Sequence, residues 1–197
     1  MKTLIKSALL LLLVMSLTGC GDDVSSISSD DLVKRNGLYY KKFSDVPFSG
    51  RVIDTHYGLI TNGKREGEWT HYTSDGQLLS TGNYKNGKEE GEWDYYHGIG
   101  PLSTENAQLS STGNYKNGKK EGEWIRYHDN GQLYSKGNYK NGKTEGEWVS
   151  YWVTGQLMFK GNYKNGEREG EWVYYQEQGN LIKEWSGIYK NGVKISD

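Results

Sequence analysis

The sequence predicts an all-β protein, an elongated and twisted antiparallel β-meander of repeated hairpins with no helix beyond an apolar leader. Three observations carry that prediction. A 24-residue unit recurs from about residue 58, marked by Gly-Glu-Trp with Trp69, Trp93, Trp124, Trp148 and Trp172 at intervals of 24, 31, 24 and 24. Asn-Gly recurs with it, at 62–63, 86–87, 117–118, 141–142 and 165–166, and is a strong hairpin signal because a type I′ turn needs positive φ at both central residues. Burial falls to aromatic side chains, 16 Tyr and 7 Trp against 3 Phe, beside 27 Gly and 2 Pro, a mix that suits strands and tight turns better than helices.

The elements follow in chain order. Lys2 and Lys6 precede an apolar run from Ala8 to Leu17, too short to span a bilayer and suited to the apolar core of an export signal. It ends in Leu17-Thr18-Gly19-Cys20, which resembles the lipobox of bacterial lipoproteins. That resemblance implies removal of signal peptide 1–19 and acylation of Cys20 as the new N-terminus. Several acyl chains on one residue hold a membrane firmly, since each buried methylene contributes ~0.8 kcal/mol. In the lipoproteins it resembles, Asp directly after the cysteine often favours the inner membrane; Gly21 stands here, which favours the outer membrane. Residues 20–34, rich in Ser and Asp without apolar periodicity, read as an acylated flexible tether. Residues 35–57 read as a degenerate N-terminal cap bent at Pro47, and 58–197 as the repeat array.

Charge and cysteine content narrow the function classes. With 24 basic and 25 acidic side chains the net charge is -1, and losing Lys2 and Lys6 with the leader leaves 22 against 25. A nucleic-acid binder relying on bulk positive charge is therefore not expected. One cysteine allows neither an internal disulfide nor a multi-cysteine metal site.

If both turn classes of the unit are two-residue loops, two ten-residue strands and two turns fill its 24 residues as an uninterrupted meander. Pairing about Asn117-Gly118 then sets Trp124 opposite Ser111, and pairing about Asn130-Gly131 sets it opposite Gly137. The second relation recurs as Trp69 with Gly82, Trp93 with Gly113 and Trp148 with Gly161, so each indole is expected to cover that mid-strand glycine. Leu133, Tyr139, Leu157 and Tyr163 share the Trp face by period two. Tyr72, Tyr96, Tyr127, Tyr151 and Tyr175, each three residues after a Trp, fall on the other face against Leu79, Tyr134, Met158 and Ile182. The same register pairs Gly91 with Gly82, Gly122 with Gly113 and Gly146 with Gly137, which would bend or bulge the ribbon. Two extra residues before Tyr189 would set Trp185 opposite Trp172.

The string GNYKNGKKEGEWIRYHDNGQL resembles the MORN family in its bacterial variant form, of the YwqK antitoxin-like type, over roughly residues 50 to 192. The resemblance implies a β-hairpin array used for protein or lipid contact, without a common catalytic residue and without a cofactor. Its antitoxin label implies a toxin-neutralising partner, to which an exported, acylated chain is poorly suited.

Candidate chemistry is weighed on that scaffold. His56, His71, His97 and His128 occupy unlike places in the repeat and lack ligand spacing, so no metal site is expected. Glu90/Glu92 and Glu121/Glu123 are carboxylates at i and i+2, a spacing that could serve acid–base chemistry. They recur in every unit, which points instead to cross-strand ion pairs such as Lys136 with Glu147 and Lys160 with Glu171. Catalysis is not expected. Lys85 opposite Lys88, Lys116 opposite Lys119 and Lys140 opposite Lys143 would form a basic ridge able to meet anionic lipid or glycan, though such lysines also keep hairpin tips soluble. The interval of 31 enlarges one unit within Tyr96 to Gln108, where Ile99, Pro101 and Leu102, with the five tyrosines, are candidates for partner contact. The expected function is that of a non-enzymatic, lipid-anchored envelope protein binding another protein, with glycan or anionic-lipid binding and the antitoxin-like role as alternatives.

Overall fold

A computed structural model of the chain describes residues 25–98 and 107–197. It holds sixteen strands and no α-helix among the described residues. The first five are β1 (Ser26–Ile27), β2 (Leu32–Arg35), β3 (Leu38–Lys41), β4 (Gly50–Ile53) and β5 (His56–Thr61). The array follows as β6 (Lys64–Tyr72), β7 (Leu78–Lys85), β8 (Lys88–Tyr96), β9 (Leu109–Lys116), β10 (Lys119–Tyr127), β11 (Leu133–Lys140), β12 (Lys143–Tyr151), β13 (Leu157–Lys164) and β14 (Glu167–Tyr174). β15 (Gly187–Lys190) and β16 (Val193–Ser196) end it. One long twisted sheet of 14 strands runs β1-β4-β5 and then in sequence order to β16, each pair antiparallel except β1 with β4. The expected hairpin array is the architecture found.

Residues 25–34 are not a free tether. They supply β1, a 3-10 turn at Ser29–Asp31 and the start of β2. Asp54 draws this segment down by accepting from Ser28 Oγ at 2.8 Å, Ser29 Oγ at 2.6 Å and the Ser29 amide. The cap pairs differently from expectation as well. β3 returns on β2 through Asn36-Gly37, both at positive φ, to make a separate two-stranded sheet, while β4 pairs with β5. That small sheet docks on the array where the Tyr39 amide donates to the Gly63 carbonyl at 2.8 Å. Ile27, Phe48, Val52, Ile60, Trp69, Tyr84 and Trp93 form the core beneath it.

Asn-Gly turns are two-residue loops as expected, with Asn86, Asn117, Asn141 and Asn165 at φ near +50°. The second turn class is not. The Thr73 amide donates to the Gln77 carbonyl and the Gly76 amide to the Thr73 carbonyl, the pattern of a three-residue loop whose last residue is left-handed; Gly76 has φ +85°. His128–Gln132, Trp152–Gln156 and Gln176–Asn180 repeat both bonds. The longer loop shifts the tyrosines by one residue, so Tyr72, Tyr96, Tyr127 and Tyr151 pair with Leu78, Leu109, Leu133 and Leu157 rather than with residues such as Leu79, Tyr134 and Met158.

Every array hairpin closed by Asn-Gly also carries a bulge. Asn83 pairs with Glu90 but Gly82 with Trp93, leaving Gly91 and Glu92 as the extra residues. The predicted glycine–glycine pairs therefore do not form, and Trp124 stands opposite Gly113 on this side rather than Ser111. It still stands opposite Gly137 on the other side, and Trp69–Gly82, Trp93–Gly113 and Trp148–Gly161 hold as read. At the far end the two extra residues form a turn before Ser186, so Trp172 meets Gly187 and Trp185 is 52% exposed, not stacked on Trp172.

Candidate functional site

Each unit is built around its tryptophan. Trp69, Trp93, Trp124 and Trp172 are at most 2% exposed and Trp148 6%. The indole lies across the glycine eleven residues earlier, on the strand joined through Asn-Gly. A Cβ on Gly58, Gly82, Gly113, Gly137 or Gly161 would sit no farther than 2.6 Å from the Cγ of Trp69, Trp93, Trp124, Trp148 or Trp172 respectively. The ring thus covers the preceding glycine, not the following one expected from the two-residue-loop register, and Gly58 joins the set. The bulge frees a carbonyl for the indole N–H: Trp93 Nε1 donates to Asn83 O at 3.1 Å, and Trp124, Trp148 and Trp172 do the same to Asn114, Asn138 and Asn162. This explains why phenylalanine does not serve in that place.

Tyrosines of the intervening strands meet these rings edge-on. Tyr84 lies 5.8 Å from Trp69 and 5.1 Å from Trp93, Tyr115 and Tyr139 flank Trp124, and Tyr163 lies 6.0 Å from Trp148 and 4.8 Å from Trp172. The alternation is continuous from Trp69 to Tyr189. Cations four residues before the tryptophan lie over the rings. Arg65 stacks on Tyr39, Trp69 and Tyr84, Lys120 Nζ is 3.8 Å from the Trp124 centroid, and Arg168 is 4.0 Å from that of Tyr189. Burial, with the Arg126 charge, pushes the Lys120 ammonium below its usual pKa. Burial of Tyr95, whose hydroxyl meets that of Tyr115 at 3.2 Å, pushes its pKa up.

The opposite face carries the five tyrosines singled out in the sequence, all half-buried. Tyr72 packs edge-on against Tyr57 at 5.7 Å, and burial together with the Asp94 charge pushes the Tyr96 pKa up. Four residues back along the same strands, beyond the pairs Thr70–Thr81, Asp94–Thr112, Ile125–Lys136 and Val149–Lys160, runs an exposed row in which Glu68, Glu92, Glu123 and Glu147 pair with Asn83, Asn114, Asn138 and Asn162. Lys160 crosses to Glu147 at 2.9 Å rather than to Glu171, and no Lys136–Glu147 pair forms.

The turn edge is where the lysines stand. Lys85 opposes Lys88, Lys116 opposes Lys119 and Lys140 opposes Lys143, and all six are exposed. The first glutamate of each pair has a structural task. Glu66, Glu90, Glu121, Glu145 and Glu169 accept from the amides of Asn86, Asn117, Asn141, Asn165 and Asn191 in the next hairpin, at 2.8 to 3.1 Å. The following glycine amide donates to a carbonyl of that earlier hairpin, as Gly118 does to Glu89 at 2.9 Å. Consecutive tips are thereby stitched together.

On the loop edge, His97 and His128 share one place, four residues after Trp93 and Trp124, which corrects the reading of all four histidines as unlike. His97 Nε2 meets the Tyr127 carbonyl at 3.2 Å, His128 Nε2 the Tyr151 carbonyl at 2.9 Å, and Trp152 Nε1 donates to the Tyr175 carbonyl at 3.1 Å. The equal spacing from the tryptophan is the signal in the sequence that marks this equivalence. The enlarged unit leaves the sheet on this same edge, its base closed by the His97 amide on the Gln108 carbonyl at 2.9 Å. Ile99, Pro101 and Leu102 lie outside the described residues, as does Cys20.

His56 and His71 belong to the capped end, their rings 5.1 Å apart. Burial, with the charges of Arg65 and His56, lowers His71 to about 4. Burial of Asp54 acts to raise its pKa, but hydrogen bonds from Ser29, the His56 amide and Ser28 outweigh it and bring the carboxyl to about 2. Ser29, Tyr39, His56, Arg65 and Trp69 line a cavity of about 130 Å³ here. Among the described residues no group of three or more His, Cys, Asp or Glu is placed to hold a metal ion.

A comparison with curated proteins returns no match. Among solved structures the chain is similar to a chain in the crystal structure of the GtfA/B complex bound to UDP and GlcNAc, at 13% identity over 77% of this chain and 26% of that one. The TM-score of 0.19 carries no argument about fold or function. MORN repeats are commonly modules for protein or membrane contact, and their family is generally non-catalytic. Residues 65–86, 120–141 and 144–165 match the family described as MORN repeat variant, each match running from just inside one Asn-Gly turn to the asparagine of the next, so three hairpin units of the array are similar to that repeat.

Proposed function

We propose that the chain is a non-enzymatic, lipid-anchored envelope protein that presents the Tyr face of its array to a protein partner. The observation that carries this reading is the division of labour between the faces. One is consumed by Trp–Gly–Tyr packing, while the other keeps half-buried tyrosines bordered by Thr81, Thr112, Lys136 and Lys160, with a solvent-facing row of Glu and Asn beyond these from Glu68 to Glu147. Half-buried tyrosines bordered by hydrogen-bonding side chains suit a protein surface, because their rings are already held and lose little entropy on contact. Acylation at Cys20, export and residence at the outer membrane complete the proposal; the lipobox-like Leu17–Cys20 supports them. Ile99, Pro101 and Leu102 of the enlarged unit are further candidates for partner contact.

Photocrosslinking from positions 96, 127 and 151 in intact cells tests the reading. One protein should be captured from these positions and not from Arg51 at the capped end, and Tyr127→Ser with Tyr151→Ser should abolish capture. Retention of the chain on purified peptidoglycan with no protein adduct would contradict it. The six exposed lysines of the turn edge support a second reading, contact with anionic lipid or glycan. Binding to lipopolysaccharide or anionic vesicles that weakens with salt and with lysine-to-serine changes at 116, 119, 140 and 143 would favour it.

A further inference from the structure

We propose that the tip of the β3–β4 connection, Lys41 to Val46, is a bilayer-insertion loop in which Phe43 and Val46 enter the interface of an anionic membrane beside Lys41 and Lys42. For its location this rests on the anchored reading of Cys20.

Phe43 is 107% exposed and has φ +63°, in the left-handed region that a bulky residue rarely adopts. Neither folding nor solubility gains from a phenyl ring held that way, and backbone outliers of this kind gather at functional contacts. The ring is displayed by a braced loop. The Ser44 amide donates to the Lys41 carbonyl at 3.1 Å, the Val46 amide to Ser44 Oγ at 3.1 Å, and Arg35 holds both Asp45, at 3.0 Å, and the Ser44 carbonyl. Val46 is 72% exposed, whereas Phe48 two residues on is 8% exposed in the core. The loop thus keeps one aromatic inside and turns an aromatic and an aliphatic outward.

Its charges suit a membrane surface. Lys41 and Lys42 are exposed and take part in no ion pair among the described residues, while Asp45 is neutralised by Arg35; Asp30 and Asp31 stand on the adjacent 3-10 turn. Lysines beside inserted apolar groups keep their ammonium groups at the headgroups and bury only their stems. The location agrees. The Lys42 amide donates to the Asp31 carbonyl at 2.8 Å, which places the tip at the end where the chain enters the sheet. Four residues separate Cys20 from Ser25, and the five Cα steps between these two span at most about 18 Å when fully extended.

The test uses the full chain in vesicles of phosphatidylethanolamine and phosphatidylglycerol with brominated acyl chains. An environment-sensitive fluorescent amino acid replaces Phe43, Val46 or, as the distant reference, Gln178, and mass spectrometry reads the state of Cys20. The proposal expects quenching at 43 and 46 at least about twofold above that at 178, since apolar side chains at an interface reach the acyl boundary. Acylated, vesicle-bound chain with no excess quenching at 43 and 46 overturns the loop and leaves the anchor standing. Quenching at 43 and 46 with unmodified Cys20 keeps the loop and removes the anchor. Unmodified chain that stays off the vesicles, or equal quenching at all three positions, overturns the insertion loop.

Discussion

Gly137 and Gly146 belong to one hairpin and are glycine for different reasons. A Cβ at Gly137 would enter the Trp148 indole, whereas at Gly146 it would meet nothing within 4 Å, and the constraint there is φ +71°. Gly137→Ala should therefore lower stability by about 1 to 3 kcal/mol through overpacking, and Gly146→Ala by about 1 to 2 kcal/mol through backbone strain. Asparagine separates the two, because it tolerates the left-handed region but not a ring against its Cβ: Gly146→Asn should restore most of the loss and Gly137→Asn none, read by urea unfolding. Trp148→Phe strands the Asn138 carbonyl, at about 1 to 3 kcal/mol for the unmet acceptor. Titration gives a further expectation. His71 has its pKa lowered from 6.5 to about 4, so its neutral form stabilises the fold fully above the unfolded value, and that contribution is lost as pH falls from 6.5 through about 4. Asp54, lowered from 3.8 to about 2, loses its contribution as pH falls from 3.8 through about 2. Melting temperature against pH should flatten in the upper window for His71→Gln and in the lower one for Asp54→Asn. The Trp–Gly register was legible from spacing alone. Which glycine the ring covers was not, because that choice depends on a two-residue bulge with no separate sequence mark beyond the glycine of Gly-Glu-Trp.

At the level of the hairpin, the two turn classes differ in how openly the sequence declares them. Asn-Gly names its own geometry, and all six turns of this class from Asn62 to Asn191 follow it. The other class ends in a lone left-handed glycine after residues as different as Asp75, Asn130 and Thr154, so a two-residue and a three-residue loop look alike until the strands are paired. Glutamates of the tips illustrate a second limit. Their recurrence suggests ion pairing, yet Glu121 spends its carboxylate on the Asn141 amide of the next hairpin at 2.8 Å, a contact between units that no within-unit register reveals. Glu121→Ala should speed hydrogen exchange of the Asn141 amide and cost about 0.5 to 1.5 kcal/mol, the usual net worth of such a bond. Exchange at Asn191, capped by Glu169, should not change.

Across the whole molecule, each hairpin contacts its neighbours through three parallel seams: tip to tip at the Asn-Gly edge, ring to ring along the Trp face, and side chain to carbonyl at the loop edge. Stability of such an array is close to a sum of unit and nearest-neighbour terms, so damage to one rung should melt that region before the rest. The Trp face is thereby committed to cohesion, and the Tyr face, the two edges and the capped end are left free of that task. Five glycine α-proton signals read the central feature at once. Held against indole faces, Gly58, Gly82, Gly113, Gly137 and Gly161 should resonate well upfield of the ordinary glycine range in the proton NMR spectrum, and substitution of Trp148 should return Gly137 while leaving Gly58 in place. Five glycines at ordinary shifts, or a displaced Gly161 rather than Gly137 on loss of Trp148, would contradict the packing on which the rest stands.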